Sequence, residues 1–260
     1  MKQSIKNIFY SALLIVICST TVGADSNAEN RTSHKIKKIM IDPGFGGKEP
    51  GPRGSCPDSS DSKDIDLAIS LKLAKMIKER LGIDAALTRD VDKTVSLFDR
   101  SATANHSNCD LFISIHCNAH KDNQVYGIET YYLNIVPDEK SVTKARHENA
   151  GSDQNASDLQ PILNDLMQST KTKESKTLAF DVQNSICKYL GSRYDMVKDR
   201  GIKSAPFYVL VGNEAPSIVI ETSYISNQRE CKRLNSVKYQ EDICEGIVQG
   251  LEKYIGNLNH

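Results

Sequence analysis

Beyond its first two dozen residues the sequence has no apolar run long enough to cross a bilayer, no internal repeat and no net charge. Lys and Arg number 33 against 33 Asp and Glu. The absence of a second apolar run excludes a multi-span membrane protein, which needs about 20 apolar residues per helix. The charge balance argues against nucleic acid or an anionic membrane as the target. None of the cysteines forms a CxxC pair, which removes the usual spacing of a structural zinc site.

What is present begins with a leader. Lys2 and Lys6 precede the apolar run from Ile8 to Cys18, and Val22-Gly23-Ala24 supplies small residues. This is the pattern of a secretory signal peptide over residues 1–24, cleaved after Ala24, since the run is too short to span a membrane. A lipid anchor on Cys18 is disfavoured by bulky Ile17. Export places the mature protein in a periplasm or outside the cell. Without Lys2 and Lys6 it carries 31 basic and 33 acidic residues. The remaining cysteines are Cys56, Cys109, Cys117, Cys187, Cys231 and Cys244. Such a compartment permits disulfides, but spacing does not reveal the pairing, and unpaired cysteines act as small buried hydrophobes.

After a polar, disordered lead at 25–34, residues 35–258 suit one α/β domain. Glu49 to Asp64 is rich in Pro, Gly, Ser and Asp and reads as a surface loop. Ile65, Ile69, Leu73, Met76, Ile77 and Leu81 follow helical spacing and stop at Gly82. Asp84 to Thr88 is a short strand, and Ser96 to Asp99 is a capping box opening a helix. Ile128 to Leu133, Phe207 to Val211 and Ser217 to Thr222 read as further strands. Helices carry Leu178, Val182, Ile186 and Leu190, then Ile243, Ile247, Leu251 and Ile255. Between Pro137 and Lys176 the chain is polar, with one amphipathic piece at Leu159, Ile162, Leu163, Leu166 and Met167; it reads as an insertion or lid. The alternation predicts a twisted, largely parallel sheet wrapped by helices.

Three apolar strands end in chemistry. Lys38 to Pro43 delivers a tight glycine loop, Gly44-Phe45-Gly46-Gly47. Leu111 to Asn118 carries His116, and Ser217 to Tyr224 carries Glu221. Ligands and catalysts commonly sit at such carboxyl ends. A glutamate closing an apolar strand must find a partner once buried, for which Arg53, Lys203 and His116 are candidates. Asp42 and Arg89, also at strand ends, suit the tying of loops.

Ile-Asp-Pro-Gly-Phe-Gly-Gly-Lys at 41–48, Leu-Thr-Arg-Asp at 87–90, Phe-Ile-Ser-Ile-His-Cys-Asn at 112–118, Gly-Ile-Glu-Thr-Tyr-Tyr-Leu at 127–133 and Val-Ile-Glu-Thr-Ser-Tyr-Ile-Ser-Asn at 219–227 resemble the zinc-dependent N-acetylmuramoyl-L-alanine amidases, collinearly from about Ile36 to Ile255. The resemblance implies a single-domain, phosphorylase/hydrolase-like fold with helices on both faces of the sheet. It also implies peptidoglycan as the partner and cleavage of the amide between N-acetylmuramic acid and L-alanine, in cell-wall remodelling or cell separation. Zinc with three protein ligands would activate water and polarise the carbonyl, and a carboxylate would carry the proton to the leaving nitrogen. His116 matches one ligand and Glu221 matches the proton shuttle.

At the other two ligand positions stand Phe45 and Ser62. Structural zinc binds with about 10–16 kcal/mol over four ligands, so the loss of two is worth about 5–8 kcal/mol. Asp61 or Asp58 is the candidate substitute for the second ligand, and Glu148 in the insertion a more distant one. Nothing comparable replaces the first, and Phe45 is expected to pack into the vacated pocket. The insertion resembles the regulatory segment of division-associated amidases, which covers the active site until an activator protein removes it; as a plain amphipathic stripe it is equally a packing helix. Two functions follow: an amidase with an unusual metal site, or a catalytically silent homologue that binds peptidoglycan or an amidase activator.

Overall fold

The computed structural model of the chain describes residues 35–134, 139–149 and 170–258. The leader, the lead to residue 34 and the amphipathic stretch at 159–167 lie outside them. Among the described residues no helix is long and apolar enough to cross a membrane.

Among the described residues six strands form one sheet in the order β2-β1-β3-β6-β4-β5. They are β1 (Lys38–Pro43), β2 (Asp84–Leu87), β3 (Leu111–Asn118), β4 (Ile128–Tyr132), β5 (Asp199–Ser204) and β6 (Ser217–Tyr224). All pairs are parallel except β4 with β6, which run antiparallel. Every residue of β3 and β6 is buried, as expected of central strands covered on both faces.

One face is covered by α1 (Ser62–Leu81), α4 (Thr170–Gly191) and α6 (Val237–Leu258). The stripes anticipated from helical spacing are the ones buried: Ile65, Ile69, Leu73 and Ile77 of α1, Leu178, Val182, Ile186 and Leu190 of α4, and Ile243, Ile247 and Leu251 of α6. α4 and α6 approach closely because Gly250 lacks a side chain; a Cβ there would lie 2.5 Å from the Val182 Cα. α1 stops at Gly82, in the left-handed conformation at φ 67°. The opposite face carries α2 (Leu97–His106), whose cap Ser96 accepts a hydrogen bond from the Asp99 amide. α3 (Glu139–Glu148) and α5 (Gln228–Leu234) complete the described helices.

Two expectations need correction. Phe207 to Val211 is not a strand: Tyr208–Leu210 is a 3-10 turn. Its apolar residues serve the second core cluster, where Phe207, Val209 and Leu210 are buried. The sheet edge is instead Asp199–Ser204, a charged segment whose only aliphatic residue is Ile202 and which therefore gives no apolar pattern. The segment read as an insertion, about 137–176, includes the first turns of α4, which begins at Thr170. The cysteine pairing left open by the sequence resolves to Cys56–Cys231, with Cys109, Cys117, Cys187 and Cys244 free.

Candidate functional site

Asp42, at the end of β1, is fully buried. It accepts hydrogen bonds from Thr88 Oγ1 at 2.5 Å, Ser114 Oγ at 2.7 Å and Arg100 Nη1 at 2.9 Å. Arg100 also donates to the carbonyls of Pro43 and Phe45, each at 2.6 Å. Arg89 donates to the carbonyls of Gly44 at 2.6 Å and Lys63 at 2.9 Å. Two buried guanidiniums thus hold the glycine loop by its backbone, which is the tying role expected of Asp42 and Arg89.

The loop is held against His116. A Cβ on Gly44 would lie 2.6 Å from the imidazole, so only glycine fits. Phe45 adopts φ 55°, an uncommon conformation for a bulky residue. Its ring meets His116 edge-on with centroids 5.1 Å apart. Across the sheet His116 is register-paired with Glu221, and both are buried.

The partner of Glu221 is none of the three candidates named from the sequence. Lys203 instead pairs with Glu129. Glu221 Oε1 lies 3.1 Å from the Lys144 ammonium, which reaches in from α3. The same ammonium lies 2.5 Å from Glu148 Oε1, one turn along the helix. Glu148 Oε2 lies 3.1 Å from His116 Nδ1, while His116 Nε2 is 3.1 Å from Ser114 Oγ. Glu148 has therefore folded onto the site. α3 is seated by buried Ser141 and Ala145, and Asn149 exchanges hydrogen bonds of 2.9 Å with the Pro206 carbonyl and the Tyr208 amide. The 3-10 turn misread as a strand is what anchors it.

The electrostatics follow. Burial opposes charge on His116, but Glu148 and Glu221 outweigh it and push its pKa up to about 9. Burial likewise opposes ionisation of Glu148, but Lys144 and His116 hold its carboxyl down to about 2. Burial raises Glu221, against the pull of Lys144, and the ammonium of Lys144 is itself raised by its two carboxylates despite burial.

Ser62 opens α1 and is fully buried, its hydroxyl donating to Asp66 Oδ2 at 2.8 Å. Burial lifts Asp66 to about 7, against the charge of His116. Asp61 is the N-cap residue of α1, with no side-chain capping bond, and Asp58 lies at φ 55° in the preceding loop. Among the described residues, no group of three or more His, Cys, Asp or Glu side chains is arranged to hold a metal ion.

Two clefts flank the site. One of about 320 Å³ is lined by Phe45, Arg100, His116 and Glu148, and one of about 810 Å³ by Asn118, Glu129, Tyr131, Lys144, Glu148 and Tyr224. Glu148 is shared by both, so α3 stands as a partition in the groove. In the larger cleft Glu129 gathers Lys203, Tyr224, Tyr131 at 2.9 Å, Asn118 at 3.2 Å and Arg200 at 3.3 Å. Sequence reasoning missed Lys144, Asp66 and Glu129. Asp66 was visible as a charge on a buried helical stripe, four residues after Ser62. Lys144 had no signal, being one cation in a polar segment.

The sheet and its helices form an α/β scaffold with a buried histidine and glutamate register-paired on adjacent strands. The family profile described as N-acetylmuramoyl-L-alanine amidase matches residues 39–253, and the chain belongs to that family, which is zinc-dependent and acts on peptidoglycan. It is 28% identical over 243 residues to the amidase AmiA of Escherichia coli K12, covering 90% of this chain and 81% of AmiA. To AmiC of Escherichia coli O6:H1 it is 29% identical over 231 residues, 84% of this chain but only 53% of AmiC. The crystal structure of an N-acetylmuramoyl-L-alanine amidase from Clostridium difficile 630 superposes with a TM-score of 0.67 at 31% identity, covering 85% of this chain and 98% of that one. AmiC2 of Nostoc punctiforme gives 0.64 at 30% identity, covering 85% and 97%.

Proposed function

We propose that this chain is a catalytically silent member of the amidase family, exported by its leader and holding peptidoglycan in the groove without cutting it. The observation that carries the reading is the Lys144 ammonium resting on Glu221. Amide hydrolysis by the family needs an electrophile with an open position for water and a carboxylate free to move a proton. Phe45 and Ser62 stand at two of the three ligand positions; a phenyl ring cannot coordinate zinc and a neutral hydroxyl is a poor ligand. His116 Nε2 is taken up by Ser114 and Nδ1 lies 3.1 Å from the Glu148 carboxylate, and Glu221 faces an ammonium. These residues do not fit zinc.

The groove still offers what binding needs. His120, Lys121, Arg200 and Lys203 line the cleft around the buried Glu129 cluster, and the cleft is large enough for part of a glycopeptide. The test is incubation with purified peptidoglycan sacculi, read by pelleting and by chromatography of released stem peptides. Co-sedimentation without release is expected. Release of stem peptides would return the chain to the active amidases. Pelleting lost while an activator-stimulated amidase is inhibited would favour competition for the activator instead.

A further inference from the structure

The larger cleft holds more cations than its buried carboxylates can use. Glu129 is 1% exposed. Its Oε1 accepts from the Tyr224 hydroxyl and from Asn118 Nδ2 at 3.2 Å, and its Oε2 accepts from Lys203 Nζ and from the Tyr131 hydroxyl at 2.9 Å. A carboxylate offers about four lone-pair sites, so the accepting capacity of Glu129 is filled and Lys203 balances its charge. Arg200 stands beside this set without a place in it. Its Nε lies 3.3 Å from Glu129 Oε1 but is buried with no hydrogen-bond partner among the described residues. Weaker contacts hold the guanidinium: Nη1 donates to the Tyr126 carbonyl at 3.4 Å, and the group lies 5.3 Å from the Tyr224 ring centroid.

Arg200 and Lys203 come from β5, and both line the cleft of about 810 Å³ together with Lys121, which is exposed in the loop after β3. The other charged lining residues, Lys144 and Glu148, pair with each other. Asp122, next to Lys121, does not line the cleft, and its carboxylate accepts from the Gln124 amide. The lining thus sets Lys121, Lys144, Arg200 and Lys203 against Glu129 and Glu148 alone, a surplus of positive charge. An arginine fork matches a carboxylate through two parallel hydrogen bonds, and a cleft lined by one sign of charge concentrates the attraction.

We propose that the larger cleft is a site for an acidic peptide, with Arg200 taking a carboxylate of the ligand and Lys121 drawing it in. The inference rests on the reading that the chain holds peptidoglycan in this groove, and it names the part recognised as a free carboxylate on the stem peptide. The experiment is co-sedimentation of the protein with purified sacculi, untreated and with their carboxyls capped as amides by carbodiimide and glycinamide. The unmodified protein should pellet with untreated sacculi and bind capped ones about tenfold more weakly or worse, as expected for loss of a charge-assisted pair. Arg200→Gln should lose about the same factor on untreated sacculi, and capping should then change its binding by less than about twofold. Lys75→Gln, which removes an exposed charge on α1, should keep the full response to capping. Equal pelleting of the unmodified protein with the two preparations would overturn the acidic-peptide site while leaving peptidoglycan binding standing. So would an Arg200→Gln protein as sensitive to capping as the unmodified one. Pelleting with neither preparation would instead defeat the binding reading itself. Should Arg200→Gln not fold, exposed Lys121 decides: Lys121→Gln should lose about threefold on untreated sacculi and nothing on capped ones, and an unchanged affinity would overturn the proposal.

Discussion

The double substitution Phe45→His, Ser62→Glu tests the proposal that the site has lost its metal. Phe45→His suits the backbone, since His is among the residues enriched at positive φ and residue 45 sits at φ 55°. Its ring would replace one whose centroid is 5.1 Å from His116, within reach of a shared ion bound at about 2.0–2.1 Å from each nitrogen. Ser62→Glu replaces a buried hydroxyl beside Asp66 with a longer carboxylate. At about 2.5–4 kcal/mol per ligand the pair restores about 5–8 kcal/mol, or about four to six powers of ten in zinc affinity. Lys144 opposes this by holding Glu148 and Glu221, so a triple variant with Lys144→Ala should bind tighter than the double. Zinc per chain, measured by elemental mass spectrometry after purification in micromolar zinc, should be near zero in the unmodified protein and near one in the triple variant. Folded double and triple variants that remain metal-free would refute the claim that the site geometry survives. So, from the other side, would one zinc in the unmodified chain.

Other expectations concern the frame that holds the site. Asp42→Ala leaves Arg100, which is 1% exposed, without its carboxylate and should cost about 3–5 kcal/mol, read as a lower urea midpoint; a loss under about 1 kcal/mol would contradict the network. Gly44→Ala drives a methyl into His116 and should destabilise the protein by several kcal/mol while Gly82→Ala, whose Cβ meets nothing within 4 Å, costs only its αL strain; equal losses would refute the close approach. Reducing Cys56–Cys231 frees a loop spanning 175 positions and should cost about 2–4 kcal/mol, measured as a fall in Tm of about 4–16 °C. The carboxyl of Glu129 is depressed below its ordinary 4.5: burial opposes ionisation, but Lys203, Tyr224 and Tyr131 outweigh it. Its contribution is present above pH 4.5 and lost as pH falls through the folded value. Glu129→Gln should flatten the acid limb of the stability curve, and an unchanged limb would count against the assignment.

Much of the frame was legible because its signals are local. Helical stripes such as Ile65 to Ile77, the Ser96 cap and the Gly82 stop depend on residues a few positions apart, and the buried strands ending in His116 and Glu221 announce themselves by composition. The segments misjudged were those where composition and ladder diverge. Phe207 to Leu210 is apolar because it fills a core, whereas Asp199–Ser204 is a strand because a neighbouring backbone pairs with it, at an edge where polar side chains face water.

The sequence by itself determined the family, the sheet and the strand-end pair, since each follows from residue identity and short-range order. Tertiary structure alone decided what fills the site. Lys144 and Glu148 lie among unremarkable polar residues, and their meeting with Glu221 and His116 depends on how α3 is anchored by Asn149 at the turn around Tyr208. Partners of buried charges are fixed by packing across the fold, because each charge is stabilised by whichever opposite charge the completed core brings within about 3 Å of it.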